Sequence, residues 1–265
     1  MPIDKSETTT RTPIRDAYAL LDKVRATGHT KIAAALSGGK DSIATLDLCI
    51  QYFGQKNVHP FYLYWIKDLE CENAILNKIQ HFYKDMPQIV KIPHYGLAEF
   101  LRNCTGRSLT PSIIERLGPK SMWTAKKTEK VARMKTGAKW IAGGHRISDS
   151  LHRRGMLHQC SGFWQYGEKT REPIYRVYPI YKWSSHNVFS YLKERHLPTP
   201  DMFGNNYNKA SGIELTNPVF ISHLQRHYPN DYARVKHLFP FIEDARFRDE
   251  VRAKLKIQNQ SNIEY

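Results

Sequence analysis

Cysteine is scarce in this chain and thinly spread. The four residues Cys49, Cys71, Cys104 and Cys160 form no CxxC pair and no Cys/His cluster at zinc-ligand spacing. That spacing excludes a disulfide scaffold and a zinc ribbon. Long apolar runs are missing as well, and none approaches the ~20 residues a membrane helix needs. The opening stretch "MPIDKSETTTRTP" is polar and lacks the apolar core of a secretory signal. The expectation is a soluble, cytoplasmic protein with no membrane association. There is no internal repeat. Acidic residues are also in short supply, 25 against 40 Lys and Arg, leaving a net charge of +15 and a pI near 9.6. Such a field attracts nucleic acid, anionic nucleotides or acidic protein without choosing among them.

What is present describes a globular chain. With 265 residues, 41% hydrophobic and 12% aromatic, it can bury a core as one large domain or one domain with an appendage. Residues 1–12 are Thr-rich, lack apolar periodicity and are expected to be disordered. Ile14, Ala17, Leu20, Leu21 and Val24 then recur at helical spacing, and Gly28 closes the helix. Apolar runs at "KIAAAL", "VHPFYLYW" (58–65), "PQIVKI" (87–92) and "KWIAGG" (139–144) read as strands. Helical patterns at 41–53, about 70–84, "GLAEFLRN" and "AKKTEKVARMKTG" fall between them, with turns in "SLTPS" and "LGPKS". Strands alternating with helices predict an α/β fold with a doubly wound, mainly parallel sheet over 13–200.

Later the pattern changes. "YRVYPIYKW" leads into a helix, "SSHNVFSYLKERH", capped by Ser184 or Ser185, whose Trp183, Val188 and Tyr191 mark a core face. "TPDMFGNNYNKASG" reads as a loop, and the 201–265 region as helical, with two or three short helices between 216 and 255.

The loop "SGGKDS" (37–42) sits between the first strand and the helix after it. A strand that runs into Gly-Gly and opens a helix presents free N–H groups and the positive end of the helix dipole to an anion. Gly38 and Gly39 permit close approach, Ser37 and Ser42 offer hydroxyls, and Lys40 adds a compact positive charge. Asp41 would repel phosphate unless a cation intervenes, which makes it a Mg²⁺ ligand candidate. The bland alternative is a glycine-rich turn with an Asp near the N-cap. The loop is not a Walker A motif, because GxxxxGK[ST] is absent.

This loop resembles the PP-loop of N-type ATP pyrophosphatases, in the branch that includes 3′-phosphoadenosine 5′-phosphosulfate (PAPS) reductases. "GGHRISDSLHRRG" (143–155) is similar to that family's G-x-R-x-x-E-S-x-x-R segment after the fourth strand. "YPIYKWSSHNVFSYLKERHLPTP" (178–200) is similar to its P-I-x-x-W segment, so the resemblance spans roughly residues 30–200. It implies an adenine nucleotide alpha hydrolase-like fold in which residues 37–42 cradle the phosphates of ATP or PAPS. It places adenine against Leu63, Tyr64 and Trp65, and the reacting phosphate against Gly144 and Arg146. Arg153 or Arg154 matches the later family arginine. His145, beside Arg146, is either a general acid or ligand, or simply packed.

The departures matter as much. Family reductases carry a catalytic cysteine near the C-terminus, but no cysteine follows Cys160 here, and the surroundings of Cys160, "LHQCSGFW", do not match. "KSMWTAKKTEK" stands where the adenylylsulfate reductase branch has a cysteine pair. Nucleotide activation survives these losses: Lys40, Asp41 with Mg²⁺, and Arg146 suffice as catalytic groups for adenylyl transfer from ATP with pyrophosphate release. The leading expectation is therefore an ATP pyrophosphatase-type enzyme with an unknown acceptor. The alternatives are a sulfonucleotide reductase or PAPS-binding relative, and a non-catalytic nucleic-acid or assembly-binding module. Between Lys120 and Arg154 ten Lys and Arg face only Glu129 and Asp149, interleaved with Trp123 and Trp140. That pattern suits a nucleic-acid strand or a solvated basic face. Candidate partners are thus an adenine nucleotide, a nucleic acid, and a protein partner or second copy of the chain.

Overall fold

The computed structural model describes residues 5–95, 123–167, 173–199, 218–239 and 242. The expected helix at "GLAEFLRN", the turns in 105–122 and most of the loop in 199–212 lie outside these residues.

Six strands form one sheet in the order β3-β2-β1-β4-β6-β5. They are β1 (Ile32–Leu36), β2 (Val58–Tyr64), β3 (Val90–Pro93), β4 (Trp140–Ala142), β5 (Phe163–Tyr166) and β6 (Ile174–Val177). Every neighbour pair is parallel except β5–β6 at one edge, which is antiparallel. The chain steps outward from β1 to β2 and β3, then returns to the other side of β1 as β4. The strand order reverses between β1 and β4, a switch point at whose carboxyl ends open α/β sheets hold their ligands in a crevice.

One face of the sheet is covered by α1 (Lys5–Ala26), α2 (Lys40–Phe53) and α6 (Ser185–Glu194), which supply most of the main core. α4 (Ala125–Thr136) lies on the opposite face over a smaller cluster built on Ala33, Phe61, Ile92 and Ile141. α3 (Glu70–Phe82) follows β2, and α5 (Leu151–Cys160) follows β4. In the C-terminal region α7 (Pro218–His227) and α8 (Pro229–Leu238) form a third cluster with Ile66 and Leu69 from the β2–α3 connection and Cys71 from the first turn of α3. No helix among the described residues is long and apolar enough to cross a membrane.

α2 is buried on nearly every side, so its apolar run "IATLDLCI" has no polar face to expose. The one carboxylate inside it, Asp47, is 0% exposed. It accepts hydrogen bonds from Tyr83 Oη (2.7 Å), Tyr191 Oη (2.5 Å) and Arg195 Nε (3.0 Å). This cluster pins the helix that carries the glycine loop to the chain after α3 and to α6. The helix α6 starts as its sequence predicts, with Ser184 and Asn187 closing a capping box.

Three elements differ from the sequence reading. The backbone is helical from Lys5, where a disordered stretch was expected up to residue 12. Once the face of Ala17, Leu20, Leu21 and Val24 is packed, extending the helix needs one bond per residue and no apolar pattern. α5 was not anticipated, because only Leu157 of its ten residues is buried and no periodicity results. "FWQY", read as aromatics near a basic segment, is the edge strand β5, turned into the sheet by Ser161 (φ 48°) and Gly162 (φ 74°).

Candidate functional site

β1 ends at Leu36, and the chain turns at Gly38, whose φ of +75° is natural only for glycine. A Cβ there would lie 3.2 Å from Ile75 Cγ2 of α3. The serines hold the loop's own shape. Ser42 Oγ accepts from the Ser37 amide (3.1 Å) and donates to the Gly39 carbonyl (2.8 Å), while the Gly39 amide donates to Ser37 Oγ (3.3 Å). The amides of Gly38, Lys40, Asp41 and Ser42 donate to no described residue. They sit at the start of α2, where free N–H groups and the helix dipole favour an anion.

The connection after β4 closes against this loop. A Cβ on Gly144 would meet the Asp41 carbonyl carbon and oxygen at 2.9 Å and the Ser42 nitrogen at 3.0 Å, so only glycine allows the two backbones to touch. Two residues on, the Arg146 side chain, 5% exposed, crosses from β4 to the loop.

A line of alternating charge follows. Lys40 Nζ is 2.7 Å from Asp41 Oδ2, and Arg146 Nε is 3.0 Å from Asp41 Oδ1. Arg146 Nη2 is 3.1 Å from Asp149 Oδ1, and Arg153 Nη1 is 3.0 Å from Asp149 Oδ2. Asp149 also accepts from the Arg146 amide, and Arg146 Nη1 donates to Ser185 Oγ of α6 at 3.2 Å. Arg146 and Asp41 are close but misaligned: Nε and Oδ1 are both buried without a properly angled hydrogen bond among the described residues. Their attraction is that of charge, and the directional bonds remain unused.

The fold thus gathers Ser37, Gly38, Gly39, Lys40, Asp41, Ser42, Gly144, Arg146 and Arg153 around one crevice. Tyr64 and Trp65 engage other partners. Leu63 packs on the α4 face, Tyr64 against the main core, and Trp65 with the C-terminal cluster and on the His94 ring (centroids 4.0 Å, 16°). They do not form one common face. Arg154 bonds the Ile147 carbonyl at 3.2 Å and braces the connection from outside. His145 tilts against Tyr178 at 5.3 Å, and burial, then the charge of Arg153, lowers its pKa to about 4. That favours the neutral imidazole, whose Nδ1 is buried without a hydrogen-bond partner among the described residues.

Asp149 and Ser185 escaped the sequence reading as site residues. The signal for Asp149 was the acidic position of the G-x-R-x-x-E-S pattern, which it fills with a shorter carboxylate. Cysteine chemistry finds little support among the described residues, which leave out Cys104. The thiols of Cys49 and Cys71 are buried and pushed well above the usual range, by burial first and then by neighbouring carboxylates. Cys160 ends α5, about 13 Å along the axis from its start beside Asp149. No group of three or more His, Cys, Asp or Glu able to hold a metal occurs among the described residues. A separate hollow of about 480 Å³ lies against α1, lined by residues such as Lys23, Tyr181 and Trp183, and does not include the loop.

The mainly parallel sheet with a Gly-Gly loop at its switch point matches the adenine nucleotide alpha hydrolase-like fold of the PP-loop ATP pyrophosphatases. Within that class the chain belongs to the phosphoadenosine phosphosulfate reductase domain family, which matches residues 31–218. It is 22% identical over 215 residues to adenosine 5′-phosphosulfate reductase of Staphylococcus epidermidis, covering 80% of this chain and 81% of that protein. Among solved structures, FMN adenylyltransferase of Candida glabrata superposes with a TM-score of 0.54 at 13% identity. That match covers 81% of this chain and 65% of the Candida protein, so the chain spans about two thirds of its length. The U34-tRNA thiolase NcsA of Methanococcus maripaludis, solved with its 4Fe-4S cluster, gives 0.50 at 17% identity, over 89% of this chain and 80% of that one. At these identities the structural likeness is one of fold.

Proposed function

We propose that the chain binds ATP by its phosphates at residues 37–42 and transfers the adenylyl group to an acceptor, releasing pyrophosphate. One observation carries this reading: Lys40 and Arg146 converge on the Asp41 carboxylate beside the free amides that open α2. The protein has built a seat for an anion, and its own carboxylate lies at the rim.

An acceptor nucleophile attacks the α-phosphorus, the bond to the bridging oxygen breaks, and the electron pair leaves with pyrophosphate. Lys40 and the amides of Gly38, Lys40 and Asp41 hold the growing charge on the leaving group. Arg146, fixed by Asp149 and Ser185, offers its fork to the α-phosphate. Asp41 suits a magnesium ion in that its Oδ1 is buried without an aligned hydrogen bond, and a Mg²⁺ site needs only one or two carboxylates beside phosphate oxygens. When bound, that ion supplies further charge neutralisation at the departing phosphates. Positioning and electrostatics do the chemistry, with no side-chain nucleophile. The Candida glabrata FMN adenylyltransferase, similar in fold, was solved with FAD and inorganic pyrophosphate, the products of such a transfer.

A second reading, sulfonucleotide reduction, is favoured by the family itself and by the Staphylococcus relative. It requires a reactive thiolate near the crevice, and Cys160 is the only partly exposed cysteine among the described residues. A third, nucleotide or nucleic-acid binding without turnover, keeps the seat and omits the transfer.

Calorimetric titration with ATP, AMP and PAPS, with and without Mg²⁺, separates these readings when paired with an assay of pyrophosphate release. The adenylyl-transfer reading expects ATP to bind more tightly than AMP, and Mg²⁺ to strengthen ATP. Tight PAPS binding without ATP binding, together with loss of sulfite production in Cys160→Ser, would move the assignment to the reductase. Failure of ATP and PAPS alike to bind would remove the enzymatic reading altogether.

A further inference from the structure

β5 and β6 turn alternate side chains to opposite faces of the sheet. Phe163, Tyr175 and Val177 enter the main core. Trp164 and Tyr166 of β5, register partners of Arg176 and Ile174, take the other face. On that face Tyr166 is 69% exposed and Trp164 half-buried, with the Arg176 guanidinium 5.8 Å from the Trp164 ring. Two rings on one side of a strand stand about 7 Å apart, twice the rise of stacked bases, which leaves room for one flat ring between them.

The rim of this shelf is basic. Along α4, Lys126, Lys130 and Arg133 follow one another at four- and three-residue spacing around Glu129. Glu129 is already held by Arg133 (3.6 Å) and by Arg176, so the acid adds no open negative charge. Lys126 and Lys130 are exposed. At the crevice end, α5 exposes residues 151–155, including Arg153, which reaches Asp149 and through it Arg146. The shelf therefore combines ring faces, fixed guanidinium groups and flexible ammonium groups, and its basic rim leads towards the crevice.

We infer that this face holds a single-stranded nucleic acid, whose bases stack on Tyr166 and Trp164 and whose phosphates follow α4 and α5 towards the nucleotide site. The inference rests on the adenylyl-transfer reading only in naming the strand as the carrier of the acceptor; the binding surface stands on its own residues. An acidic peptide would match the charge of the rim but would not use the Tyr166 ring, which is 69% exposed. A duplex hides its base faces from a flat shelf.

Fluorescence anisotropy with labelled U20 and dT20 on the full chain, at 50 and 200 mM KCl, tests it. Four phosphate contacts on a single strand predict roughly a 50-fold loss of affinity across that salt range. Tyr166→Ala should weaken U20 binding about tenfold, and Lys126→Glu with Lys130→Glu more than that. Neither variant should alter ATP binding measured by calorimetry. Absence of binding at 50 mM KCl, equal competition by poly-glutamate or by duplex, or unchanged U20 binding in both variants would each overturn the inference. Wild-type protein that binds U20 with this pattern but not ATP would sink the adenylyl-transfer reading and leave the surface standing.

Discussion

The Arg146 guanidinium stands 3.0 Å from the Asp41 carboxylate while Lys40, the residue before Asp41, holds its other oxygen at 2.7 Å. Two cations on two separate loops thus share one small anion at the mouth of the crevice. A bound polyphosphate must either displace that carboxylate from the cations or recruit a metal to reconcile it.

Replacing the carboxylate tests which of these happens. Asp41→Asn keeps the shape and frees Lys40 and Arg146 to face a ligand. Metal-free pyrophosphate should then bind about tenfold more tightly, equivalent to ~1.4 kcal/mol of removed repulsion. The strengthening by Mg²⁺ expected of the parent protein should vanish. If Mg²⁺ still sharpens pyrophosphate binding to the variant in calorimetry, Asp41 is not the metal's carboxylate.

The glycine that lets the two loops touch makes a sharper structural prediction. At Gly144→Ala the new Cβ meets main-chain atoms of Asp41 and Ser42 at 2.9–3.0 Å, and backbone cannot rotate away. Denaturant unfolding should show a loss of ~1–3 kcal/mol, with ATP affinity falling as Arg146 is pushed from the loop. Gly155→Ala on α5 supplies the contrast. Nothing lies within 4 Å of that position, so the protein should be unchanged or up to ~1 kcal/mol more stable.

How far the sequence spoke depended on whether a signal was local. The β1–loop–α2 unit was legible because a buried apolar run, two glycines and a second apolar run are adjacent in the chain, and burial of all three is what fold and site require. The capping Ser184 was legible for the same reason. The surroundings of Tyr64 and Trp65 were not, since successive residues at a strand end turn opposite ways and what they pack against depends on helices that lie far along the chain. Asp149 was hidden because its worth lies in Arg146 and Arg153, which only the closed loop brings to it. α5 and β5 carry too few buried residues to leave a period.

Asp47 offers a test of the frame beneath the loop. Its carboxylate is fully enclosed and takes bonds from Tyr83, Tyr191 and Arg195, three groups from elements distant in sequence. The tyrosine hydroxyls are raised, by burial first and by Asp47 next, so they remain protonated donors. Asp47→Ala would leave three donors without an acceptor, one of them charged, and should cost ~3–5 kcal/mol by chemical denaturation. Asp47→Asn, which keeps one acceptor, should cost less. Equal losses in the two would mean that the cavity, rather than the lost acceptor, sets the penalty.

Glu72, at the start of α3, should make stability fall as pH rises. It is 4% exposed, and its Oε1 has no hydrogen-bond partner among the described residues. Burial raises its pKa from 4.5 to about 8; Tyr62 from β2 opposes the shift, Asp231 from α8 adds to it, and Lys91 and Arg234 oppose it. Between those two values the folded chain keeps a proton that the unfolded chain has lost. Each pH unit in that window therefore removes up to ~1.4 kcal/mol of stability, and the loss levels off above pH 8. The penalty falls where α8 docks on the β2–α3 connection, because the Cys71 amide donates to Asp231 at 2.8 Å. Glu72→Gln carries no charge to bury, so its stability relative to the parent should be small at pH 5 and grow to several kcal/mol by pH 8–9. Urea unfolding of both proteins across that range reads the difference directly. A gap that stays constant with pH would show that Glu72 is ionised in the folded protein, with a partner for its charge.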